Sequence, residues 1–257
     1  MALDKIEKNF GIDPKHWENS LQELYRNPPK IMKKSVAILM MIFSQILLGQ
    51  NVILNKVVKT HSNSDKVFYK INPELGNSEY LAELEVQGFS DDDPKVFGMI
   101  YKKAKEVGAN AFSYQPFETI EEAGAQKFDP AHYKLNLYYV NPENFPKENN
   151  VVYFFASPYK TQNIALNNVN VVFEPRTFTK KTLNIGEVFS VSTKKLLGAS
   201  IKLSGQENQP VQHYQFSAFS VNSYPYGTAG INLKSGDITR LERSYADFLS
   251  VVYQEFK

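Results

Sequence analysis

Apolar and polar residues alternate most clearly in YLAELEVQGF, residues 80–89. From Ala82 to Val86 every second residue is apolar, and the positions between them carry glutamates. Side chains of a strand point alternately to its two faces, so this period of two predicts a half-buried strand. Apolar runs predict three more strands in this part of the chain, at 66–71, 109–117 and 133–140.

A helix is predicted between the second and third of these strands, in SDDDPKVFGMIYKKAKEVG, residues 90–108. We expect Asp93 to cap its first turn and Pro94 to occupy its first position. One face of the helix is apolar at helical spacing, at Phe97, Ile100, Ala104 and Val107. Gly108 is placed to end the helix, because glycine favours the left-handed conformation that follows a last turn. The order β-β-α-β-β is typical of a small α+β domain.

The domain boundaries follow from the composition of the connecting segments. Residues 51–64 are polar and predict a linker or lead-in to an α+β domain at 51–145. Two prolines in NPENFPKENN, residues 141–150, mark the boundary to a second domain at 146–257. Strand-like runs separated by turn residues recur there, at 151–156, 168–175, 182–193, 197–205, 211–221 and 230–235. They predict a mainly antiparallel, β-rich domain.

The chain closes with a segment of helical periodicity. Apolar residues recur at helical spacing, at Ile238, Leu241, Tyr245, Phe248, Val252 and Phe256. We expect Arg243 and Asp247 to form an i,i+4 ion pair outside this stripe. The pattern predicts a C-terminal helix that packs on a sheet, and a helix that binds a partner is the alternative.

The most apolar stretch, MKKSVAILMMIFSQILLGQ, lies at residues 32–50. Lys33 and Lys34 form a positive start, an apolar run of about fifteen residues follows, and Gly49 stands at a plausible cleavage edge. The run has the length of a signal peptide and is shorter than the ~20 residues that cross a membrane. We therefore predict that residues 32–50 are a signal peptide.

Three interpretations of this stretch compete. In the first, Met32 is the true start and residues 1–31 are a gene-start artefact. In the second, residues 35–54 are an uncleaved membrane anchor. In the third, the stretch is a buried core helix. A core helix is disfavoured because it would be apolar on all faces beside a lysine pair. The upstream DPKHWENSLQEL favours the anchor, since Asp13 and Pro14 could begin a well-formed helix.

Charge and cysteine content exclude several functions. The 257 residues carry a formal charge of +2, and setting aside the seven cations and five carboxylates of residues 1–49 leaves 22 of each. A neutral remainder with only three arginines and no basic run is a poor nucleic-acid binder. The absence of cysteine excludes disulfides, thiolate metal sites, cysteine nucleophiles and lipidation at a lipobox.

No known catalytic motif occurs in the sequence. The histidines beyond residue 49, which are His61, His132 and His213, are isolated from one another, so we predict no metal site. No P-loop, G-x-S-x-G or G-x-G-x-x-G is present, and we predict no cofactor. Tyr224 and Tyr226, in NSYPYGTAG, could form a contact surface for a protein or a glycan. The alternative is that both tyrosines cover a sheet edge.

Two resemblances concern the origin of the chain. The leader ending in LLGQ, the excess of Lys and Asn over Arg and the aromatic β segments are similar to exported proteins of unknown function from flavobacteria-like Gram-negative bacteria. This resemblance implies export from the cytoplasm and no catalytic residue. Residues 102–112, which contain KAKEVGANAF, resemble a helix-to-strand corner of small bacterial envelope α/β domains. That resemblance implies a structural corner.

These observations lead to an expected function without a specific activity. We expect an exported, periplasmic or secreted envelope protein that acts as a non-enzymatic binding or interaction module. Its partner would be a protein or a glycan, and it would meet a membrane only through an uncleaved leader. A hydrolase or carbohydrate-active enzyme, with a site assembled only in three dimensions, is one alternative. An assembly factor anchored through residues 35–54 is the other.

Overall fold

The described part of the chain combines three β-sheets with two α-helices, as expected for the α+β class. The computed structural model describes residues 50–75, 77–115, 128–193, 198–217, 234–235 and 237–256. Residues Gln50–Lys257 form one compact unit. The predicted signal segment with Lys33, Lys34 and Gly49, the extension at 1–31, and Tyr224 with Tyr226 lie outside the described residues.

The first sheet has five strands in the order β1-β3-β5-β4-β2. They are β1 (Asn51–Val57), β2 (Tyr69–Lys70), β3 (Ser78–Gln87), β4 (Ala111–Gln115) and β5 (His132–Val140). The predicted alternation in β3 is confirmed, because Ala82, Leu84 and Val86 are buried while the glutamates between them are not. Neighbouring strands pair antiparallel except β2, which pairs parallel with β4.

The interpretation of residues 51–64 as a linker is wrong for the first half of that segment. β1 pairs antiparallel with β3 and forms an edge of the sheet. Val52 and Leu54 pack against the core, while the residues between and after them are exposed. The polar composition concealed the strand, since an edge strand needs apolar side chains on one face only.

Helix α1 (Asp93–Glu106) buries the predicted face on the first sheet. Its cap is Asp92, whose Oδ1 accepts a hydrogen bond from the Lys95 N–H at 3.1 Å, so the assignment of the cap to Asp93 is wrong by one residue. Asp93 is instead buried. Gly108 follows the helix with φ +78°, in the left-handed conformation expected there.

A buried asparagine fixes the corner that follows α1. The Asn110 Nδ2 donates to the carbonyl oxygen of Val140, and its Oδ1 accepts from the Val140 N–H, both at 2.8 Å. The same Nδ2 donates to Oδ2 of Asp65 at 2.8 Å. Asn110 is therefore fully satisfied in the core and ties β5 to the start of β4.

The remaining strands form two sheets. One has the order β11-β10-β7-β8 and contains β7 (Gln162–Leu166), β8 (Val169–Phe173), β10 (Val188–Thr193) and β11 (Ser200–Ser204). The other has the order β13-β14-β12-β6-β9-β15 and contains β6 (Val151–Phe155), β9 (Thr177–Thr182), β12 (Gln212–Phe216), β13 (Lys234–Ser235), β14 (Ile238–Arg240) and β15 (Gln254–Glu255). Most neighbours pair antiparallel, and β12 with β6 and β15 with β9 pair parallel.

Sequence patterns missed four strands of this region. They are β7, β9, β14 and β15. β9 reads TFTKKT, where a single phenylalanine, Phe178, is the buried apolar residue. Such strands are held by pairing with neighbours distant in sequence, and a local hydrophobic pattern does not report that pairing.

Helix α2 (Arg243–Val252) is shorter than the predicted stripe. Ile238 belongs to β14 and Phe256 follows β15, so both ends of the stripe are extended chain. Glu242 caps the helix by accepting a hydrogen bond from the Tyr245 N–H at 3.2 Å. The helix contacts β2, α1, β12 and β15, which is the packing role expected of it.

Among the described residues, the two largest hydrophobic cores hold these layers together. The larger core joins the first sheet and α1 to α2 and to Phe155 and Phe178, so it contains residues from both sides of position 145. The smaller core lies between the other two sheets and includes Phe154, Phe173 and Phe216. Among the described residues, no helix is both long and apolar enough to cross a membrane.

Candidate functional site

A cavity of about 340 Å³ opens beside α2, where β2, β6, β9 and β12 approach one another. Its walls come from segments that are far apart in the sequence, between Lys70 and Glu255. Charged side chains, aromatic rings and small residues all line it. This mixture distinguishes the cavity from the apolar cores on either side.

Aromatic side chains form the floor of the cavity. The rings of Tyr153 and His213, which neighbour each other on β6 and β12, stack with centroids 5.2 Å apart and planes 27° apart. Phe178 on β9 stacks on the other side of Tyr153 at 6.2 Å. Ala246 of α2 is buried beside them and leaves room for the cavity, because its side chain is a single methyl group.

Asp247 is the most perturbed acid of the cavity wall. Its Oδ2 accepts a hydrogen bond from the backbone N–H of Lys70 at 3.1 Å and lies 3.6 Å from Nε of Arg243. Burial raises the pKa of Asp247 to about 7, although Arg243, the Lys70 N–H and the Lys70 ammonium each lower it. The expected i,i+4 pair is therefore present, and both of its residues line the cavity.

Arg243 is held by three partners in this wall. Its guanidinium lies 4.1 Å from the centre of the Tyr69 ring, and its Nη2 donates to the carbonyl oxygen of Pro146 at 3.4 Å. Its Nε is buried and makes no hydrogen bond in the described part of the structure. Oδ2 of Asp247, 3.6 Å away, is close enough for an ion pair but too far for a hydrogen bond. The guanidinium is thus fixed in place by stacking.

Lys70 brings a second cation to the same wall. Its Nζ donates to Oγ of Ser250 at 3.2 Å. Desolvation inside the concave wall lowers the pKa of Lys70, although Asp247 and Glu255 oppose that shift. A lysine in this position gains from an anion beside it, because an anion replaces the water that the ammonium has lost.

His213 is buried behind these cations. Burial, followed by the charges of Arg243 and Arg240, lowers the pKa of its imidazole to about 3. The ring is therefore neutral at physiological pH. It contributes a polar surface to the cavity without contributing charge.

Two carboxylates and a lysine complete the rim. The hydroxyl of Tyr153 donates to Oε2 of Glu148 at 3.2 Å, and burial raises the pKa of that tyrosine. Nζ of Lys180 lies 3.5 Å from Oε1 of Glu255, and both of these side chains are exposed. Three cations and three carboxylates therefore surround the cavity, and Asp247 is the one whose charge changes near neutral pH.

The other histidines lie away from this cavity. Nε2 of His132 is 2.6 Å from Oε1 of Glu85 on the polar face of the first sheet, and the ring of His61 stacks on Tyr139 at 3.6 Å. Hydrogen bonds from Gln87, His132 and Asn55 lower the pKa of Glu85 to about 2. Within the described ranges, no group of three or more His, Asp or Glu residues could hold a metal ion.

Comparisons of the chain with protein-family models, with curated proteins and with solved structures give no match. The site must therefore be interpreted from its own geometry.

No local sequence pattern predicted this cavity. Of the histidines considered as candidates, only His213 lines it, and Tyr224 and Tyr226 lie outside the described residues. Arg243 and Asp247 were predicted to pair outside the apolar stripe, without a link to a cavity. The one available signal was their position beside the apolar stripe of the helix, because charges beside a buried stripe often border a packed interface.

Proposed function

We propose that this protein is an exported envelope protein that acts as a binding module, with the cavity beside α2 as its ligand site. The supporting observation is the convergence of Lys70, Arg243 and Asp247 on an aromatic floor. A concave site with a few fixed polar groups is the usual form of a small-molecule site. The ligand would be small, polar and charged.

Binding is favoured over catalysis by the state of the histidine. In the described part of the chain, no hydrogen bond joins the ring of His213 to a carboxylate, and its lowered pKa keeps it neutral. A general base needs both a partner that orients it and a pKa near the working pH. The cations of the wall, by contrast, are already positioned to contact an anion.

The binding proposal is tested with simple ions. We expect sodium acetate, added to the full chain, to shift the NMR signal of the Ala246 methyl group saturably, because that group lies at the cavity wall. Arg243→Met should weaken this binding about tenfold, as loss of a charge-assisted contact does. Arg240→Met is the matched control, since Arg240 is exposed on β14 and does not line the cavity. If both acetate and methylammonium leave this signal unchanged, the proposal is overturned.

The export proposal depends on the leader at residues 32–50. Its positive start, apolar run and small exit residue support a cleaved signal peptide. Fractionation of cells followed by N-terminal sequencing tests it. A soluble periplasmic or secreted chain that begins near Gln50 is the expected result. A membrane-bound chain that retains residues 35–54 would instead support the anchored assembly factor.

A hydrolase or carbohydrate-active enzyme is the second candidate. It is favoured by one observation, that Asp247 has a pKa of about 7 in a cavity that also contains Glu148. Two nearby carboxyl groups, one of them with a raised pKa, are the arrangement used for general acid–base hydrolysis. We expect this candidate to release nitrophenolate from 4-nitrophenyl glycosides, with at least about a hundredfold loss in Asp247→Asn. Turnover no faster than in buffer would exclude it for those substrates.

We retain as a proposal the division into a β-β-α-β-β domain at 51–145 and a β-rich domain at 146–257 with a packing helix. The separate small core of the second and third sheets supports it. Because the larger core includes α2 and Phe178 as well as the first sheet, we expect the two parts to unfold in a single transition.

A further inference from the structure

A second, smaller cavity adjoins the charged one. It measures about 80 Å³ and shares three lining residues with the larger cavity, Ile71, Asn72 and Pro146. The two cavities therefore meet along a common wall, on either side of the turn after β2. A ligand longer than a single ion could occupy both.

Side-chain amides characterise this second cavity. Asn72, Asn77 and Asn144 all line it and are all exposed. The Oδ1 of Asn72 accepts from the Glu74 N–H at 3.1 Å, which orients the amide and leaves its Nδ2 donor available. Among the described residues, the side chains of Asn77 and Asn144 form no hydrogen bond. Such amides offer paired donors and acceptors that match peptide groups.

Aromatic rings in and beside the larger cavity already stack on other side chains. Tyr153 stacks with both His213 and Phe178, and the guanidinium of Arg243 lies over the ring of Tyr69, next to the cavity. Sugar recognition commonly relies on an exposed aromatic face, whereas carboxylate recognition relies on fixed cations. The occupied ring faces disfavour a glycan and leave the cations as the principal contacts.

The charges of the wall favour a carboxylate over an ammonium group. Asp247 pairs with Arg243 and accepts a hydrogen bond from the backbone N–H of Lys70, whereas the ammonium of Lys70 bonds to Ser250. Glu255 pairs with Lys180, and Glu148 accepts from Tyr153. Glu255 and Glu148 also act on Lys70 electrostatically, but both already have closer partners. In the described part of the chain the ammonium of Lys70 therefore lacks an ion-pair partner of its own.

We propose that the two cavities form one groove that binds the carboxyl-terminal end of a short peptide. The terminal carboxylate would lie beside Lys70 and Arg243, and the preceding peptide groups would hydrogen-bond to the amides of Asn72, Asn77 and Asn144. This inference rests on the proposed binding function and names its ligand class.

The test compares four probes on the full chain by NMR titration of the Ala246 methyl group. The probes are trialanine, trialanine amide, sodium acetate and N,N′-diacetylchitobiose. We expect trialanine to bind about tenfold more tightly than acetate and than its own amide, because it alone uses both cavities and both cations. Asn144→Ala should weaken the binding of trialanine at least about threefold and leave the binding of acetate unchanged. Asn170→Ala, on the exposed edge strand β8, is the matched control and should change neither.

Different failures point to different parts of the account. If acetate binds but trialanine binds no more tightly than acetate or than its amide, the peptide inference is overturned and the binding function stands. If chitobiose binds more tightly than trialanine, the ligand class is a glycan and the inference is again overturned. If no probe shifts the Ala246 signal, the inference and the proposed function fail together.

Discussion

Nη2 of Arg176 donates a hydrogen bond to Oδ1 of Asp93 at 2.9 Å, which joins the turn between β8 and β9 to the first residue of α1. The hydroxyl of Tyr253 donates to the other oxygen, Oδ2, also at 2.9 Å. Burial raises the pKa of Asp93, while Arg176 and Tyr253 lower it. A buried carboxylate with two such partners holds distant segments together, because separating them would leave an unpaired charge in the core.

Arg176→Met should therefore destabilise the fold strongly. Removal of the guanidinium leaves Asp93 buried beside a single donor, and the expected loss in the free energy of unfolding is about 3–5 kcal/mol. Urea denaturation followed by circular dichroism measures it. The double variant Arg176→Met, Asp93→Asn is the control and should recover part of the loss, since it removes the unpaired charge. A loss below about 1 kcal/mol in the single variant would show that the pair is not structural.

Two glycines with the same backbone conformation offer a matched comparison. Gly108 has φ +78° and Gly186 has φ +82°, but a Cβ added at Gly108 would come within 1.8 Å of the His61 carbonyl oxygen, whereas nothing lies within 4 Å of one added at Gly186. Gly186→Ala should cost only backbone strain, about 1–2 kcal/mol. Gly108→Ala should cost at least about 2 kcal/mol more, because residue 61 must move. Equal losses in thermal denaturation would contradict the close approach.

Asp247 should make stability fall as the pH rises from about 4 to about 7. The pKa of this acid moves from an ordinary 3.8 to about 7 on folding, so the folded chain retains a proton that the unfolded chain releases. Each pH unit in that window is worth up to about 1.4 kcal/mol, which limits the total effect to about 4 kcal/mol. The groups that face Asp247 are Arg243 on α2, Lys70 on β2 and Glu148 before β6.

His213 should act in the opposite direction. Its pKa falls from 6.5 to about 3 on folding, so the unfolded chain binds a proton that the folded chain does not, and stability is lost as the pH falls below about 6.5. In the wild-type chain the two effects partly cancel between pH 4 and 6.5. Denaturation of Asp247→Asn and His213→Gln at pH 4.5, 6 and 7.5 separates them. As the pH rises, the wild type should become less stable relative to Asp247→Asn. Over the same pH change, the wild type should become more stable relative to His213→Gln. Differences that do not change with pH would contradict both assignments.

Local patterns predicted the elements whose stability is local. Helix α1 was placed by a proline at its start, an apolar face and a glycine after its end, and all three signals are short-range. Even so, the cap is Asp92, because the side chain of Asp93 accepts a hydrogen bond from Arg176, 83 positions away in the sequence. The strand β1 was missed because its stability comes from pairing with β3 and not from its own composition.

The cavity could not be predicted for a related reason. Lys70 and Asp247 are 177 positions apart, and no motif links them. Tyr153 and His213 become neighbours only because β6 and β12 pair in parallel. Sequence spacing reports such neighbours only when one helix or hairpin carries them, as it does for Arg243 and Asp247.

The most direct test of the cavity as an anion-binding site is a ¹³C NMR pH titration of the Asp247 side-chain carboxyl, with and without saturating acetate. The signal is assigned by its absence from Asp247→Asn. The account predicts a midpoint near pH 7 without acetate. It also predicts a higher midpoint with acetate, because a bound carboxylate competes with Asp247 for Lys70 and Arg243. A midpoint near 3.8, or one that acetate leaves unchanged, would contradict the account.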